Sequence, residues 1–180
     1  MKVNLIGISA KAGSGKDTVA KNKIDDGWIR YAFADPLKKF CMEYLGLTYN
    51  DVYTEEGKSR FNSEWGMTNR EILQKTGTDA LRDKFHEQIW IKIAFRKINE
   101  LLNKHKGVII TDVRFDNEAE LIINIGGKVI QIIRENHNSV LSDKEKKHMS
   151  EQGIDSKYIS HTIYNDSTVE NLMKKLNSII

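Results

Sequence analysis

One stretch decides the fold: Val3-Asn4-Leu5-Ile6-Gly7-Ile8-Ser9-Ala10-Lys11-Ala12-Gly13-Ser14-Gly15-Lys16-Asp17-Thr18. Its apolar part, Val3 to Ser9, is typical of a buried β-strand. Two closely spaced glycines follow, and then a segment from Asp17 to Lys23 that has Val19 and Ala20 inside it and is typical of a helix. The sequence therefore predicts a strand that passes through a glycine loop into a helix.

The loop between this strand and this helix is suited to holding phosphate groups. The phosphate-loop pattern is G-x-x-x-x-G-K-[ST] between a strand and a helix. Glycines let successive backbone N–H groups turn inward, the helix N-terminus adds partial positive charge, and Lys16 would reach the β and γ phosphates. We therefore predict nucleoside triphosphate binding at Gly13, Ser14, Gly15, Lys16, Asp17 and Thr18.

Two positions of the loop depart from the pattern. Ala10 stands at the first glycine position, where it should fit if its backbone dihedrals are helical or extended. Asp17 stands where serine or threonine is usual, and Thr18 follows it. Either Asp17 or Thr18 would contact Mg²⁺ or its water shell, and Asp17 is the favoured of the two. A glycine turn that only connects two elements is the alternative, which the combination of glycines, lysine and apolar strand argues against.

Strands and helices are predicted to alternate along the rest of the chain. Further strands are expected at Trp28–Phe33, Val108–Thr111, Lys128–Ile133 and His161–Tyr164. Helices are expected from Pro36, after the capping pair Thr68 and Glu71, and at His86–Lys104, Asn117–Ile125 and Thr168–Leu176. Strands that are apolar on both faces and alternate with helices indicate a parallel sheet covered on both sides. The predicted fold class is α/β.

The composition is that of a single globular domain. The chain has 180 residues, of which 39% are hydrophobic and 29% charged, a balance that argues against disorder. A net charge of +3 is too small to suggest polymeric nucleic acid as the main partner. The lone cysteine, Cys41, excludes an internal disulfide and is expected in the core, and no apolar run approaches the ~20 residues that cross a membrane. We therefore expect a cytoplasmic protein that has neither a membrane nor a nucleic-acid polymer as its partner.

Polar side chains follow the predicted strand Val108–Thr111. Asp112 ends the strand, Arg114 comes two residues later, and Glu118 lies at the start of the next helix. In open α/β sheets ligands bind beyond the carboxyl ends of the strands, so Asp112 should emerge near the phosphate loop. The planar guanidinium of Arg114 suits a phosphate dianion, and this interpretation is favoured over a structural salt bridge.

A second set of candidates lies between positions 69 and 91. Its members are Arg70, Thr78, Arg82 and Trp90. They surround Gly77, which we expect in a tight turn. On these residues alone, a packing role for Trp90 is favoured over a stacking role against a base. The polar stretch before them, Gly46–Met67, is interpreted as a mobile insertion.

A charged region follows the predicted strand Lys128–Ile133. Arg134 comes directly after the strand, and the lysine-rich segment Asp143–Lys147 lies further on. Such a run is usually a solvated face, but it also has the composition of a lid that closes over polyphosphate. His148 has no cysteine or histidine at metal-ligand spacing and is interpreted as a surface or hydrogen-bonding histidine.

These motifs together resemble the phage-type deoxynucleoside monophosphate kinases, a branch of the P-loop nucleoside monophosphate kinase superfamily. The matching segments are residues 14–18 (SGKDT), 34–38 (ADPLK), 73–79 (LQKTGTD), Trp90, 111–115 (TDVRF) with Asn117 and Glu118, 129–134 (VIQIIR), and 148–151 (HMSE) with Gly153. They occur in order over nearly the whole chain. The Lys-Asp-Thr variant together with the Gly-Thr-Asp and Asp-x-Arg segments is far more specific than a phosphate loop alone.

The resemblance implies a three-layer P-loop NTPase fold: a five-stranded parallel sheet in a single domain, 1–180, with an acceptor-binding insertion at 46–67 and a lid at 135–157. It implies reversible transfer of the γ-phosphoryl group from ATP to a deoxynucleoside monophosphate, with Mg²⁺ as cofactor. ATP would bind at residues 13–18, and the catalytic groups would be Lys16, Arg114 and Arg134. The acceptor-side residues would be Lys38, Arg70, Gly77, Thr78, Arg82, Trp90, Asp112, Arg114 and Glu118.

Other functions and assemblies stay open at this point. A P-loop kinase for another phosphorylated acceptor, of the phosphomevalonate or dephospho-coenzyme A type, is the first alternative. A nucleotide-gated switch is the second, although no Asn-Lys-x-Asp guanine signature is present and the arginines provide for a second phosphorylated ligand. The chain would act in the host cytoplasm if a phage encodes it, and the sequence leaves a homodimer open.

Overall fold

The computed structural model describes residues 3–11, 13–134 and 153–180. The charged segment Asp143–Lys147, His148 and residues 135–152 of the expected lid lie outside the described residues. The chain divides into two compact units, which we call the sheet unit (residues 1–32 and 94–180) and the helical unit (residues 33–93). That the whole chain acts as one domain stays a prediction.

Within the described residues the chain forms seven strands and eight α-helices. The strands are β1 (Leu5–Ala10), β2 (Ile29–Tyr31), β3 (Phe61–Asn62), β4 (Met67–Thr68), β5 (Val108–Ile110), β6 (Lys128–Ile133) and β7 (His161–Tyr164). The helices are α1 (Lys16–Asp25), α2 (Asp35–Tyr44), α3 (Tyr49–Tyr53), α4 (Glu55–Ser59), α5 (Asn69–Gln74), α6 (Ile89–Leu102), α7 (Asp116–Asn124) and α8 (Val169–Asn177). A π-helix spans Lys75–Phe85, and a 3₁₀ turn spans Ser156–Tyr158. None of the helices in these described ranges has the length and apolar character needed to span a bilayer.

The sheet unit is built on five parallel strands in the order β2-β5-β1-β6-β7. Strand β1 lies at the centre, where Gly7 pairs with Ile110 of β5 on one side and with Val129 of β6 on the other. All five strands predicted from the apolar runs are confirmed, as is the parallel α/β architecture. Because the strands are parallel, their carboxyl ends lie along one edge of the sheet.

Helices cover both faces of this sheet. Alternate residues of a strand point to opposite faces, and Ile6 and Ile8 of β1 pack in a buried cluster with Val19 of α1 and Leu172 of α8. Gly7 faces the other side, where a Cβ atom would lie 2.5 Å from Cδ1 of Ile122 in α7. The glycine therefore allows α7 to approach β1 closely, and the predicted three-layer arrangement is confirmed.

The helical unit has its own small core. Pro36 lies in the first turn of α2, as predicted, and the helix buries Leu37 and Cys41. These two side chains pack with Leu47, Val52, Ile72 and Trp90. Cys41 is fully buried, which confirms its predicted place in the core, and burial raises the pKa of its thiol to about 11 in spite of a hydrogen bond with Thr76 that lowers it.

The stretch Gly46–Met67, interpreted from the sequence as a mobile insertion, has a defined structure held by polar contacts. It forms α3, α4 and the antiparallel pair of β3 and β4. The buried carboxylate of Asp51 accepts hydrogen bonds from Nη2 of Arg60 at 2.7 Å and from Nδ2 of Asn69 at 2.9 Å. The same Asn69 amide donates to the carbonyl of Gly57 at 2.8 Å. These contacts tie α3, α4 and the start of α5 together, and motion of the stretch stays a prediction.

Gly77 does not lie in a tight turn, and that prediction was wrong: the residue is part of the π-helix. The capping pair of Thr68 and Glu71 begins α5 as predicted, but the chain then continues without a turn. A Cβ atom on Gly77 would overlap with Cδ2 of Leu37, so the glycine permits close contact with α2. The carbonyl of Gly77 also accepts a hydrogen bond from the indole of Trp90 at 2.8 Å. Tertiary packing of this kind selects a wider helix where the local sequence suggests a turn.

Candidate active site

The loop between β1 and α1 contains two glycines whose backbone conformation is one that few other residues adopt. Gly13 and Gly15 both take left-handed conformations, with φ of 76° and 101°. Gly15 also lacks room for a side chain, because a Cβ atom there would lie 2.6 Å from Nδ2 of Asn165 and 3.3 Å from Cδ2 of Leu172. Both glycines are therefore needed to turn the backbone into the N-terminus of α1.

The first turn of α1 carries two charged residues of the phosphate-loop motif, Lys16 and Asp17. Nζ of Lys16 lies 3.0 Å from Oδ2 of Asp17, and the side chains are 22% and 82% exposed. An ion pair open to water in this way contributes little, so a polyphosphate can compete for the ammonium group. The backbone N–H groups and the partial positive charge of a helix N-terminus favour anions at the same place.

Asp17 and Thr18 present oxygen atoms in this first turn, and both residues are exposed. Mg²⁺ prefers oxygen ligands, keeps several waters and is commonly held by one or two protein groups together with substrate phosphates. The carboxylate of Asp17 and the hydroxyl of Thr18 therefore fit a magnesium ion that accompanies a nucleotide. Which of the two contacts the ion stays a prediction.

The sheet unit brings other predicted residues to the edge of the sheet where the phosphate loop lies. Asp112 and Arg114 follow the end of β5, and Arg134 follows the end of β6 directly. The backbone N–H of Val113 donates to the carbonyl of Ile8 at 3.1 Å, which lays the loop after β5 alongside the end of β1. Asp112 is half-buried, whereas Arg114 and Arg134 are exposed.

Glu118 supports the loop that carries Arg114. Its carboxylate is buried, and Oε2 accepts hydrogen bonds from the backbone N–H groups of Arg114 at 2.8 Å and Phe115 at 3.1 Å. A carboxylate at this position caps the N-terminus of α7, and its negative charge interacts favourably with the positive end of the helix dipole. The structure thus gives Glu118 a supporting role, and its contact with an acceptor stays a prediction.

In the helical unit, two of the positively charged side chains predicted to bind the acceptor contact an aromatic or an acidic side chain. Nζ of Lys38 lies 4.2 Å from the ring centroid of Tyr53. Nη2 of Arg70 donates to Oε2 of Glu55 at 2.5 Å, and the Arg70 side chain is only 13% exposed. Burial raises the pKa of Glu55, but hydrogen bonds and charges from Lys58 and Arg70 outweigh this effect and lower it to about 2.

The remaining acceptor-side candidates lie on and beside the π-helix. Gly77, Thr78 and Arg82 are all buried and share one side of it. Trp90 is 8% exposed and belongs to the core of the helical unit, so the structure gives it the packing role that the residues alone favoured. Its contact with a nucleoside stays a prediction. π-helical turns often occur at functional sites, and this one gathers three predicted residues.

Sequence reasoning missed two residues that contact the predicted site. Asn165 follows β7 and donates from Nδ2 to the carbonyl of Ser14 in the phosphate loop at 3.0 Å. The rule that ligands bind at the carboxyl ends of parallel strands could have found it. Glu55 pairs with Arg70 across 15 positions, and no local pattern indicates a contact of that range.

Comparison with known proteins agrees with the geometry. The family model of deoxynucleotide monophosphate kinase matches residues 50–176. A protein of Acanthamoeba polyphaga mimivirus, provisionally named a deoxynucleotide monophosphate kinase, is 36% identical over 98% of this chain and 95% of its own length. The deoxynucleoside-5'-monophosphate kinase of Escherichia phage T5 is 28% identical over 89% of each chain.

Solved structures show the same fold. The dephospho-CoA kinase from Campylobacter jejuni superposes with a TM-score of 0.56 at 17% identity, covering 98% of this chain and 94% of that protein. Shikimate kinase from Aquifex aeolicus gives a TM-score of 0.51 at 14% identity, covering 97% and 94%. These neighbours establish the P-loop kinase fold, and the sequence matches establish the family. The chain belongs to the deoxynucleotide monophosphate kinase family and is a phosphotransferase.

Proposed function

We propose that this chain transfers the γ-phosphoryl group of ATP to the phosphate of a deoxynucleoside monophosphate and so makes a diphosphate precursor of DNA. One observation carries the proposal. A phosphate loop and an arginine-bearing loop lie at the same edge of one sheet, and Val113 ties the second loop to the end of β1. The family supports a nucleotide as the acceptor.

Positioning and charge stabilisation supply the catalysis in this proposal. The acceptor phosphate is already anionic near neutral pH, so the reaction needs no strong general base. Lys16 neutralises charge on the β and γ oxygens, and the N–H groups of the loop hold them in line for transfer. Arg134 covers the transferring group.

Mg²⁺ fits the oxygen donors at the start of α1. When bound, the ion neutralises charge on the phosphate oxygens of ATP. We assign its protein contact to Asp17 or Thr18. Lys16 would then exchange its contact with Asp17 for phosphate oxygens, since the ion pair is exposed and weak.

The acceptor side is assigned residue by residue from the resemblance. Arg114 and Arg70 hold the acceptor phosphate, because a planar guanidinium matches two phosphate oxygens. Asp112 orients the acceptor or metal-bound water. The nucleoside contacts and their supports are Lys38, Gly77, Thr78, Arg82, Trp90 and Glu118. In this proposal Thr78 and Trp90 contact the nucleoside, and the buried Glu118 supports the loop that carries Arg114.

We further propose that the enzyme works on free nucleotides in the cytoplasm, which is the host cytoplasm if a virus encodes it. Polymeric nucleic acid and membranes are not its partners in this proposal. A homodimer is one candidate assembly. Sedimentation of the purified chain over a range of concentrations would determine the oligomeric state.

The test is a transfer screen with ATP labelled at the γ-phosphate. The full chain is incubated with Mg²⁺ and each common ribo- or deoxynucleoside monophosphate, and with dephospho-coenzyme A and phosphomevalonate as competing acceptor types. We expect label in one or more deoxynucleoside diphosphates. Label that appears only in inorganic phosphate, or only in one of the competing products, would contradict the proposal.

A further inference from the structure

We infer that Asn165 is a positioning residue of the phosphate loop: its side chain holds the peptide between Ser14 and Gly15 so that the N–H of Gly15 faces the bound polyphosphate. The inference rests on the proposed function, because it concerns how the same loop receives ATP. It adds a residue outside the phosphate-loop motif to the machinery that binds the co-substrate.

The contact joins two distant parts of the sheet unit. Nδ2 of Asn165 donates to the carbonyl oxygen of Ser14 at 3.0 Å, although the two residues are 151 positions apart in sequence. The same Nδ2 lies 2.6 Å from the place where a Cβ atom of Gly15 would be. The amide therefore packs directly against the turn that leads into α1.

Peptide geometry converts this contact into a direction for the next N–H group. In a trans peptide, the C=O bond of one residue and the N–H bond of the next point in opposite directions. The carbonyl of Ser14 points towards Asn165, so the N–H of Gly15 points away from it. The N–H of Ser14 is used inside the loop, where it donates to the carbonyl of Lys11 at 3.2 Å. Asn165 thus sets the direction of the first N–H that follows this internal turn.

The backbone around Asn165 is itself held in place. The N–H of Asn165 donates to the carbonyl of Ile133 at 2.7 Å, at the end of β6. Nζ of Lys175 donates to the carbonyl of Tyr164 at 2.8 Å and to Oδ1 of Asp166 at 2.9 Å. Both neighbours of Asn165 are therefore fixed by one lysine of α8, which limits the positions open to the side-chain amide.

A donor that is already aimed at a ligand needs no reorganisation when the ligand arrives. Without the Asn165 amide, the Ser14–Gly15 peptide would have to be ordered by the phosphate itself. Because the change concerns one hydrogen bond, we expect the dissociation constant of ATP to rise about three- to tenfold.

The experiment measures binding by titration calorimetry with two ligands, ATP and sodium tripolyphosphate. The second ligand has phosphates and no nucleoside. The variants are Asn165→Ala, which removes the donor, and Asn165→Asp, which sets a carboxylate against the carbonyl of Ser14. The matched control is Asn171→Ala, since the exposed Asn171 amide donates to the hydroxyl of Ser167 instead.

We expect both ligands to bind more weakly to Asn165→Ala by the same factor, and more weakly still to Asn165→Asp. Asn171→Ala should stay within about twofold of the wild type. Steady-state kinetics should show a raised KM for ATP and an unchanged KM for the acceptor, a split that a general loss of stability would not produce.

Two results would overturn the inference. One is an unchanged affinity for both ligands in Asn165→Asp. The other is a loss of ATP affinity with normal tripolyphosphate affinity, which would make Asn165 a nucleoside contact. If neither Asn165 variant folds, Lys175→Met is measured in their place. This substitution removes the contacts that hold the turn around Asn165 and should lower the affinity for both ligands. Unchanged affinities in Lys175→Met would count against the inference.

These binding measurements separate the inference from the proposed function. A wild-type chain that binds ATP but transfers no phosphate to a deoxynucleoside monophosphate would contradict the proposed function and leave the test of Asn165 valid. Conversely, a full transfer activity with unchanged affinities in the Asn165 variants would remove only the role of Asn165.

Discussion

Arg70 donates a hydrogen bond from Nη2 to Oε2 of Glu55 at 2.5 Å, and this pair fixes the direction of a guanidinium that we assign to the acceptor phosphate. The neighbouring Asn69 is almost fully buried and bonds to Asp51 and Gly57, which holds the backbone of Arg70 at the start of α5. Lys58 donates to the other oxygen of Glu55 at 2.9 Å. Glu55 is therefore placed to orient Arg70 before the acceptor binds.

Glu55→Gln should weaken the use of the acceptor without affecting ATP. The neutral amide holds the guanidinium less firmly, because the charge-assisted hydrogen bond is lost. We expect the KM of the deoxynucleoside monophosphate to rise about two- to fivefold, the range typical of partly exposed ion pairs. The KM of ATP should not change. The matched control is Glu56→Gln at the adjacent exposed carboxylate. Equal effects of the two substitutions would rule out a specific role for Glu55.

The same carboxylate should make stability depend on pH in the acid range. Lys58 and Arg70 hold the pKa of Glu55 at about 2, below its usual value of 4.5, although burial acts the other way. A depressed pKa in the folded state means that the ionised form stabilises the fold above pH 4.5, and that this stabilisation is lost as the pH falls towards 2.

Urea midpoints measured between pH 7 and pH 2 check this dependence. We expect the wild type to exceed Glu55→Gln at pH 7 and the difference to shrink below about pH 4.5, as the carboxylate takes up a proton. A difference that stays constant from pH 7 to pH 2 would show that the substitution acts through packing and not through charge.

Lys16→Ala should remove most of the turnover and leave the fold intact. The ammonium group stabilises charge on the transferring phosphate, and loss of one such group in a phosphoryl-transfer site costs about 10²–10³-fold or more in kcat. In the structure Lys16 makes an exposed ion pair with Asp17, which contributes little to stability.

Initial rates of diphosphate formation and the thermal midpoint are the measurements for this variant. Lys21→Ala, on an exposed position of the same helix, is the matched control and should keep both values. Normal turnover in Lys16→Ala would refute the phosphate role of the lysine.

Glu118→Ala should damage the arginine loop as well as stability. The substitution removes the shared acceptor of two backbone N–H groups, those of Arg114 and Phe115. Removing a buried acceptor of this kind costs about 1–3 kcal/mol. The KM of the acceptor should rise, because the backbone of Arg114 is no longer held. Glu118→Gln should recover part of the loss, since its amide oxygen can still accept these hydrogen bonds. If Glu118→Gln is as damaging as Glu118→Ala in both readouts, capping is not the function of this side chain.

The sheet unit could be predicted from the sequence because its signals are local. Strands β1, β5 and β6 are short apolar runs, and the phosphate loop combines glycines and a lysine within a few positions of β1. The edge rule for parallel strands then places Asp112 and Arg114 near that loop without any knowledge of packing.

The helical unit was harder to predict because its contacts are between residues far apart in sequence. The π-helix depends on how Gly77 packs against Leu37 and accepts from Trp90. The defined structure of the polar stretch Gly46–Met67 depends on contacts such as the hydrogen bond from Asn69 to Asp51. Polar residues with scattered aromatics look like a loop when read locally, and only tertiary contacts reveal the two short helices.

Gly15→Ala tests two reasons for glycine at this position: its left-handed backbone conformation and the lack of space for a side chain. Its φ of 101° is unfavourable for alanine, which costs about 1–2 kcal/mol, and the new methyl group would also displace the Asn165 amide. Gly66 has a φ of 66° and no heavy atom within 4 Å of the place where its Cβ atom would lie, so Gly66→Ala meets the backbone cost alone. We expect Gly15→Ala to lose more unfolding free energy than Gly66→Ala, because it also displaces the Asn165 amide. The dissociation constant for ATP should rise about tenfold or more only in Gly15→Ala. Since Gly66 lies outside the phosphate loop, equal ATP affinities in the two variants would mean that the shape of the Gly15 turn does not govern phosphate binding.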